Sequence, residues 1–212
     1  MNVLILPAAG IGARLGAGMP KTLVKIKDKT IVELAVEKFK VPQLVQCIII
    51  LAPRGYEKDF EKLKFPHNTH VLTGGGTRTQ SVKIGIAAIK DIFPEAELVV
   101  IHDAARCFVT EDVVQRCINA AKIHDAVTAA LPLSDTLVRC DKNKNVSEYL
   151  PRENVWRIQT PQVFKREIVE KAYSNFAGDA TDDSSVVLQN LCPIKLVMGD
   201  IKNRKITFKG DM

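Results

Sequence analysis

Along this chain, short continuous apolar runs alternate with stretches whose apolar residues recur every three or four positions. Residues 3–6, Cys47–Ala52 and Leu98–Ile101 are unbroken apolar runs, the second closed by Pro53. Each reads as a strand buried on both faces, because a strand with one wet face would alternate. Residues 126–133 read as a further extended segment. Between the runs, Ile31, Leu34, Ala35 and Phe39 share one helical face, as do Val82, Ile86, Ile89 and Phe93. Thr110 stands at an expected N-cap, with Glu111 and Asp112 in the first turn, where carboxylates meet the positive end of the helix dipole. Buried strands alternating with helices predict βαβ units, hence an α/β fold, doubly wound, with a mostly parallel sheet. Such sheets bind ligands at the carboxyl ends of their strands, so the loops after Leu6 and Ile101 are the predicted functional ground.

One stretch breaks this rhythm. Residues 134–153 are polar, with turn-forming residues at 141–145 between extended segments at 136–139 and Val146–Leu150. They predict a β-arm projecting from a single domain that spans 1–212; the alternative is a long mobile loop. An isolated hairpin is marginally stable in water, so the arm is expected to pack on something, most simply a second subunit.

Composition narrows the class. The chain is 46% hydrophobic and 25% charged, which fills a core and excludes whole-chain disorder. Its longest apolar run is far short of the roughly 20 residues of a membrane helix, and no basic region precedes the N-terminal strand, so neither membrane nor signal peptide is expected. The formal charge of +6 suits an anionic partner, but the basic residues are scattered rather than massed, so nucleic acid is not expected. The cysteines at 47, 107, 117, 140 and 192 are odd in number and contain no CxxC pair, which fits a reducing cytoplasm.

The candidate chemistry begins with PAAGIGARLG at 7–16 and Pro20-Lys21. It is not a Walker A loop, because Lys21 follows proline. It is not a dinucleotide loop, because Leu15 stands where the third glycine would be. What remains is a backbone cradle with two cations, Arg14 and Lys21, of the kind that offsets charge when a phosphorus centre is attacked. The bland alternative is a glycine turn with solvated cations. A second loop, GGGTRTQSV at 74–82, allows close backbone approach to a ligand, with Ser81 expected to cap the following helix and Arg78 to add a polar contact. The third, HDAAR at 102–106, follows a buried strand. There Asp103 suits Mg²⁺ or a ribose, or is pinned by Arg106. His102 reads as buried and satisfied, and His67 and His70 as surface. Trp156 reads as core. QTPQVF at 159–164, ATDDSS at 180–185 and NRKIT at 203–207 have bland readings singly: a turn before a helix, an N-cap, an edge strand with a surface lysine.

In order, these motifs together with SDT at 134–136 resemble the 2-C-methyl-D-erythritol 4-phosphate cytidylyltransferase family over nearly the whole chain. The resemblance implies a nucleotidyltransferase fold, a homodimer that exchanges β-arms, and transfer of a cytidylyl group from CTP to a polyol phosphate with Mg²⁺. It implies that Arg14 and Lys21 stabilise the attacked α-phosphate, and that Ala8, Ala9, Gly10 and Gly12 cradle CTP. Gly75, Gly76 and Ser81 would hold cytosine. Asp103, Ala104 and Arg106 would contact the sugar and the acceptor, with Asp103 the candidate magnesium ligand. Thr136, Arg152, Thr160 and Thr181 would hold the acceptor phosphate, some across the dimer, and Lys205 would sit near the reacting phosphates. Thr22, Gly76 and Cys107 depart from the family's usual Gln, Asp and Pro. The tail at 208–212 resembles a Pro-Glu-Asp-Leu ending without the helix that follows it in the family, so packing near Lys205 is expected to differ. Two rivals stand beside this reading. One is a ribitol 5-phosphate cytidylyltransferase, disfavoured by Ala9, Ala105 and Asp183. The other is a nucleotide-binding module without turnover.

Overall fold

In the computed structural model, residues 1–212 are described except 11, 13–17, 42 and 67, with the backbone alone described at 190 and 209. In chain order the elements are β1 (Asn2–Pro7), β2 (Lys25–Ile26), β3 (Lys29–Thr30), α1 (Ile31–Glu37), β4 (Cys47–Ala52), α2 (Glu57–Glu61), β5 (Thr69–Thr73) and α3 (Arg78–Ile92). There follow β6 (Leu98–Ile101), α4 (Glu111–Ala121), β7 (Ala126–Pro132), β8 (Leu137–Cys140), β9 (Val146–Leu150), β10 (Trp156–Lys165), α5 (Arg166–Ser174), α6 (Asp183–Asn190) and β11 (Lys195–Met198).

Seven strands form one sheet in the order β11-β7-β10-β6-β1-β4-β5. β10 runs antiparallel to β6 and β7, and the other pairings are parallel. The chain therefore winds from β1 outward through β4 to β5, then returns to place β6 on the other side of β1. That reversal opens a crevice at the carboxyl ends of β1 and β6.

The apolar runs are continuous because both faces of the sheet are covered. Leu4 and Leu6 of β1 pack with Ile31, Val32, Ala35 and Val36 of α1 and with Val113, Val114, Cys117 and Ile118 of α4. Val3 and Ile5 point the other way, against Val82, Ile86 and Ile89 of α3, Val169 and Ala172 of α5, and Val186 and Val187 of α6. Local signals fix the helix starts. Thr30 and Glu33 form a reciprocal capping box at α1. Thr110 is the N-cap residue of α4, although its side chain makes no capping bond.

β8 and β9 pair antiparallel, with Leu137 opposite Leu150 and Val138 opposite Tyr149, as a small sheet of their own. Asp141 shapes the turn between them: its Oδ1 accepts from the N–H groups of Asn143 and Asn145, both at 2.8 Å.

Candidate active site

The first loop leaves β1 at Pro7 and is tied to β4, with the Ala8 N–H donating to the Leu51 carbonyl at 2.9 Å. Gly12 has φ +66°, and a Cβ there would lie 2.5 Å from the Cβ of Lys21, so the loop lies directly on the lysine stem. Lys21 opens a single 3-10 turn, Lys21–Leu23, and its Nζ donates to the Ile206 carbonyl at 2.9 Å. The buried Thr22 hydroxyl donates to the Ala8 carbonyl at 3.1 Å, so this departure from the family pattern ties the two ends of the loop together. Arg14 lies outside the described residues.

The second loop corrects one expectation. α3 begins at Arg78, with Thr77 as its N-cap accepting from the Gln80 N–H, so Ser81 sits inside the first turn and is not the cap. Its hydroxyl instead accepts from the Gly75 N–H at 3.1 Å and donates to the Thr77 carbonyl at 2.9 Å. The Gly76 N–H is taken by Gln80 Oε1 at 2.9 Å.

The third loop carries the strongest electrostatics. Asp103 Oδ1 accepts from Arg78 Nε at 2.8 Å and Oδ2 from Lys205 Nζ at 2.7 Å. Arg106 Nε adds a longer ion pair to Oδ2 at 3.9 Å, so the expected Arg106 contact is present but Asp103 is held chiefly by Arg78 and Lys205. Arg78 in turn donates both terminal nitrogens to Asp183, at 2.9 and 2.6 Å, and Tyr173 donates its hydroxyl to the same carboxylate. The result is a row of alternating charge, Lys205–Asp103–Arg78–Asp183. The two ends differ most in exposure: the side chain is 42% exposed at Lys205 and 0% at Asp183, with Asp103 at 11% and Arg78 at 22% between them. Burial alone would raise the pKa of Asp103, but Arg78 and Lys205 hold it well below the usual carboxylate range. Burial beside the Asp183 carboxylate holds the Tyr173 hydroxyl protonated far above its ordinary range.

His102 supports the row from behind. It is fully buried, with Nε2 3.2 Å from the Arg106 carbonyl and Nδ1 3.0 Å from Thr160 Oγ1. A carbonyl only accepts, so Nε2 carries the proton and Nδ1 accepts from the Thr160 hydroxyl. That hydroxyl oxygen also accepts from the Asp103 N–H at 3.0 Å. Burial pushes the His102 pKa down to about 4, with Asp103 offsetting part of the effect, so the ring is neutral at pH 7.

Ala8, Ala9, Gly10, Gly12, Lys21, Gly75, Gly76, Ser81, Asp103, Ala104 and Lys205 line a single cleft of about 410 Å³, together with Arg78. The structure does not bring every candidate to it. Arg106 turns behind the wall, donating to the Asn203 carbonyl at 2.8 Å, and Thr160 is buried beneath Asp103. Thr136, Arg152 and Thr181 are exposed and away from the cleft lining; Arg152 holds the Ser134 carbonyl at 2.7 Å. His70 is exposed, Trp156 is half-buried, and residues 203–207 form an irregular loop rather than an edge strand. His67 lies outside the described residues. Cys107, at the proline position, is buried in the core.

Asp103 is the single carboxylate among the described lining residues, and no group of three or more potential metal ligands occurs among the described residues. That donor set fits Mg²⁺ delivered on a triphosphate, which needs one or two carboxylates, rather than a metal caged by protein alone.

A doubly wound sheet whose switch-point cleft combines backbone N–H groups with lysine ammoniums has the architecture of a nucleotidyltransferase. The model of the 2-C-methyl-D-erythritol 4-phosphate cytidylyltransferase family matches residues 2–212, and the chain belongs to that family. It is 36% identical over 217 residues to the family protein of Thermosipho melanesiensis, covering 100% of this chain and 95% of that one. The Thermotoga neapolitana protein is 34% identical over 213 residues, with 100% and 94% covered. The crystal structure of the Francisella tularensis 2-C-methyl-D-erythritol 4-phosphate cytidylyltransferase superposes with a TM-score of 0.83 at 30% identity, over 99% of this chain and 95% of that one.

Arg78 was legible only as a loop cation; its partner Asp183 lies 105 residues away, and no local spacing announces the pairing. Replacing Arg78 by Met leaves the buried Asp183 without its counter-charge, which costs about 3–5 kcal/mol of stability. Urea unfolding checks this; a loss under about 1 kcal/mol would show that Tyr173 suffices. His102 gives a pH signature. Its folded pKa of about 4 lies below the ordinary 6.5, so the unfolded chain takes up the proton first as pH falls. The stability it contributes is complete above pH 6.5 and is lost toward pH 4, roughly 3 kcal/mol in all. Urea titrations across that window should show the slope, and His102→Gln should flatten it. The contribution of Asp103, whose pKa is depressed, is lost only below its ordinary 3.8.

Proposed function

We propose that this chain transfers the cytidylyl group of CTP to 2-C-methyl-D-erythritol 4-phosphate, giving CDP-methylerythritol and pyrophosphate on the non-mevalonate route to isoprenoid precursors. The observation that carries the reading is the convergence of Lys21 and Lys205, from opposite ends of the chain, on one cleft floored by the loops after β1 and β6. An oxygen of the acceptor phosphate attacks the α-phosphorus of CTP. The new P–O bond forms as the bond to the β-phosphate oxygen breaks, and pyrophosphate departs. The acceptor oxygen is already ionised at neutral pH, so no general base is needed. The work of the protein is alignment of two anions and offset of their repulsion. Lys21 and, on the family resemblance, Arg14 would offset the charge that develops at the α-phosphate. The Lys205 ammonium, held by Asp103 in the free protein, is available to a phosphate oxygen. Backbone groups of Ala9, Gly10 and Gly12 would cradle the triphosphate beside Ala8, whose N–H and carbonyl are held by Leu51 and Thr22, and Gly75, Gly76 and Ser81 would line the place of the base. Asp103 would hold Mg²⁺ bound to the CTP phosphates; the ion supplies further neutralisation of phosphate charge.

The acceptor end of the site extends the same reading. Thr136, Arg152 and Thr181 would hold the acceptor, with Thr136 and Arg152 reaching a second copy's cleft through exchanged hairpins, while Arg106 and Thr160 serve from behind the wall. Supporting this, Val138, Val146 and Tyr149 of the hairpin are exposed, Tyr149 by 73%, and a two-stranded sheet needs such cover. A homodimer in the cytoplasm, where the free cysteines stay reduced, completes the proposal.

Pyrophosphate release with CTP, Mg²⁺ and each of 2-C-methyl-D-erythritol 4-phosphate and ribitol 5-phosphate tests it. Turnover with the first alone is expected. Turnover with ribitol phosphate alone would overturn the acceptor, and CTP binding without turnover on either would leave a binding module. Lys21→Ala should lower kcat by about 10²–10³ with its circular dichroism unchanged, since it removes charge stabilisation developed at the reacting phosphate. Near-normal turnover would remove Lys21 from the mechanism.

A further inference from the structure

Lys205 stands on a stretch without regular structure, residues 199–206, that leaves the sheet after β11. A lysine is a flexible four-carbon stem, and an irregular loop is a poor platform for one. This loop is nevertheless clamped from below. Asn203 is fully buried, and its side-chain amide donates to Gln159 Oε1 at 3.1 Å and to the Thr160 carbonyl at 2.7 Å. Its own N–H donates to the Asp200 carbonyl at 3.0 Å, and its carbonyl accepts from Arg106 at 2.8 Å. Gln159 grips the same turn, donating to the Asp200 carbonyl at 2.9 Å. Gly199 lies so close that a Cβ there would run into Gln159 Oε1.

From this clamp the chain emerges with Lys205, whose Nζ reaches Asp103 at 2.7 Å. The next residue, Ile206, donates its N–H to the Ala105 carbonyl at 2.8 Å and accepts from Lys21 Nζ at 2.9 Å. One short loop thus places both ammonium groups: it carries the first and supplies a carbonyl that holds the second.

We propose that Asn203 is a positioning residue that sets where the Lys21 and Lys205 ammoniums stand in the cleft, and so the spacing between the two cations that meet the reacting phosphates. The inference rests on the reading of the cleft as a cytidylyl-transfer site. Asparagine is the residue for this place because its amide offers two donors to two acceptor oxygens. Aspartate, of the same shape, would set carboxylate oxygens against both. Charge stabilisation in a transition state depends on groups held in place beforehand, and a misplacement of about 1 Å can cost about 100-fold in rate. The loss should therefore fall on kcat rather than on ground-state binding.

The test has two arms on the full-length protein. In the first, acetic anhydride labels lysines competitively and peptide mass spectrometry reads each site. Asn203→Ala should raise the labelling rates of Lys205 and Lys21 at least threefold relative to exposed Lys62, while other lysines keep their rates. A merely destabilised fold would raise them together. In the second, Asn203→Ala should lower kcat at least tenfold with KM for CTP changed less than threefold. Gln159→Met, which keeps the volume but loses the three side-chain hydrogen bonds to Asp200 and Asn203, should show the same pattern more weakly, and it stands in if Asn203→Ala does not fold. Unchanged labelling of both lysines in a folded variant, or an unchanged kcat, would overturn the proposal. If the wild-type protein makes no CDP product, the reaction reading fails, and the labelling arm alone decides whether Asn203 places the two cations.

Discussion

The carboxylate of Asp103 is the constraint on which the site depends. It stands just past the end of β6, in the wall of a cleft that Lys21 and Lys205 also line, where an uncompensated negative charge would oppose the anionic substrates proposed for it. Arg78 and Lys205 occupy its two oxygens, and Asp183 behind Arg78 keeps the guanidinium from swinging forward. The row is neutral overall, with one wet end and one dry end: Lys205 has 42% side-chain exposure and Asp183 0%. Its buried end is fixed by charge-assisted hydrogen bonds, which are strong where water is absent. Its wet end is a lysine that can exchange one anion for another at little cost in solvation.

The strand that makes this possible is β10, which runs against both of its neighbours. Its QTPQ segment serves three separate pieces of the site. Gln159 grips the loop that carries Lys205. The Thr160 hydroxyl accepts the Asp103 N–H and so fixes the backbone beneath the carboxylate. Gln162 Oε1 accepts from the N–H groups of Asp183 and Ser184, at 3.0 and 2.8 Å, and so orients the start of α6 that brings Asp183 to Arg78. None of the three lines the cleft, yet Gln159 and Thr160 set the positions of Lys205 and Asp103, which do, and Gln162 sets that of Asp183, the partner of Arg78. Polar side chains so deeply buried are tolerated because their donors and acceptors are met.

What the amino-acid sequence discloses follows from the range of each interaction. β1, β4 and β6 are legible because two-sided burial writes itself as unbroken apolar runs, and Thr110 is legible because capping is a local affair. The glycine loops read as loops for close backbone approach, and at Gly12 the close neighbour is the stem of Lys21. Ser81 was misplaced as a cap because Thr77, four residues earlier, competes for the same task and wins by standing outside the first turn. The Arg78–Asp183 pair, the Arg106 turn behind the wall and the irregular course of residues 203–207 were not legible. Each depends on where distant segments end in space, and periodicity carries no record of that. Family resemblance supplied the residue set for the site, but not the bonds by which its members hold one another.

That distinction bears on how the site comes into being. A Walker A loop builds most of its phosphate cradle from one contiguous segment, which can take shape with its own strand and helix. Here the two lysines come from opposite ends of the chain, and the bond from Lys21 to Ile206 spans 185 residues. The carboxylate between the cations comes from the middle, and its second counter-ion comes from α3. No subset of the sheet contains the site. It exists only once β6 has returned beside β1, β10 has inserted between β6 and β7, and the segment after β11 has closed over all three. Local opening of that last segment would dissolve the cation pair and draw only Ile206 out of the hydrophobic core, because its hold on the cleft is made of hydrogen bonds and that one buried side chain rather than of a packed helix face. Specificity of placement in this cleft therefore resides in the polar clamp beneath the loop, and stability resides in the sheet.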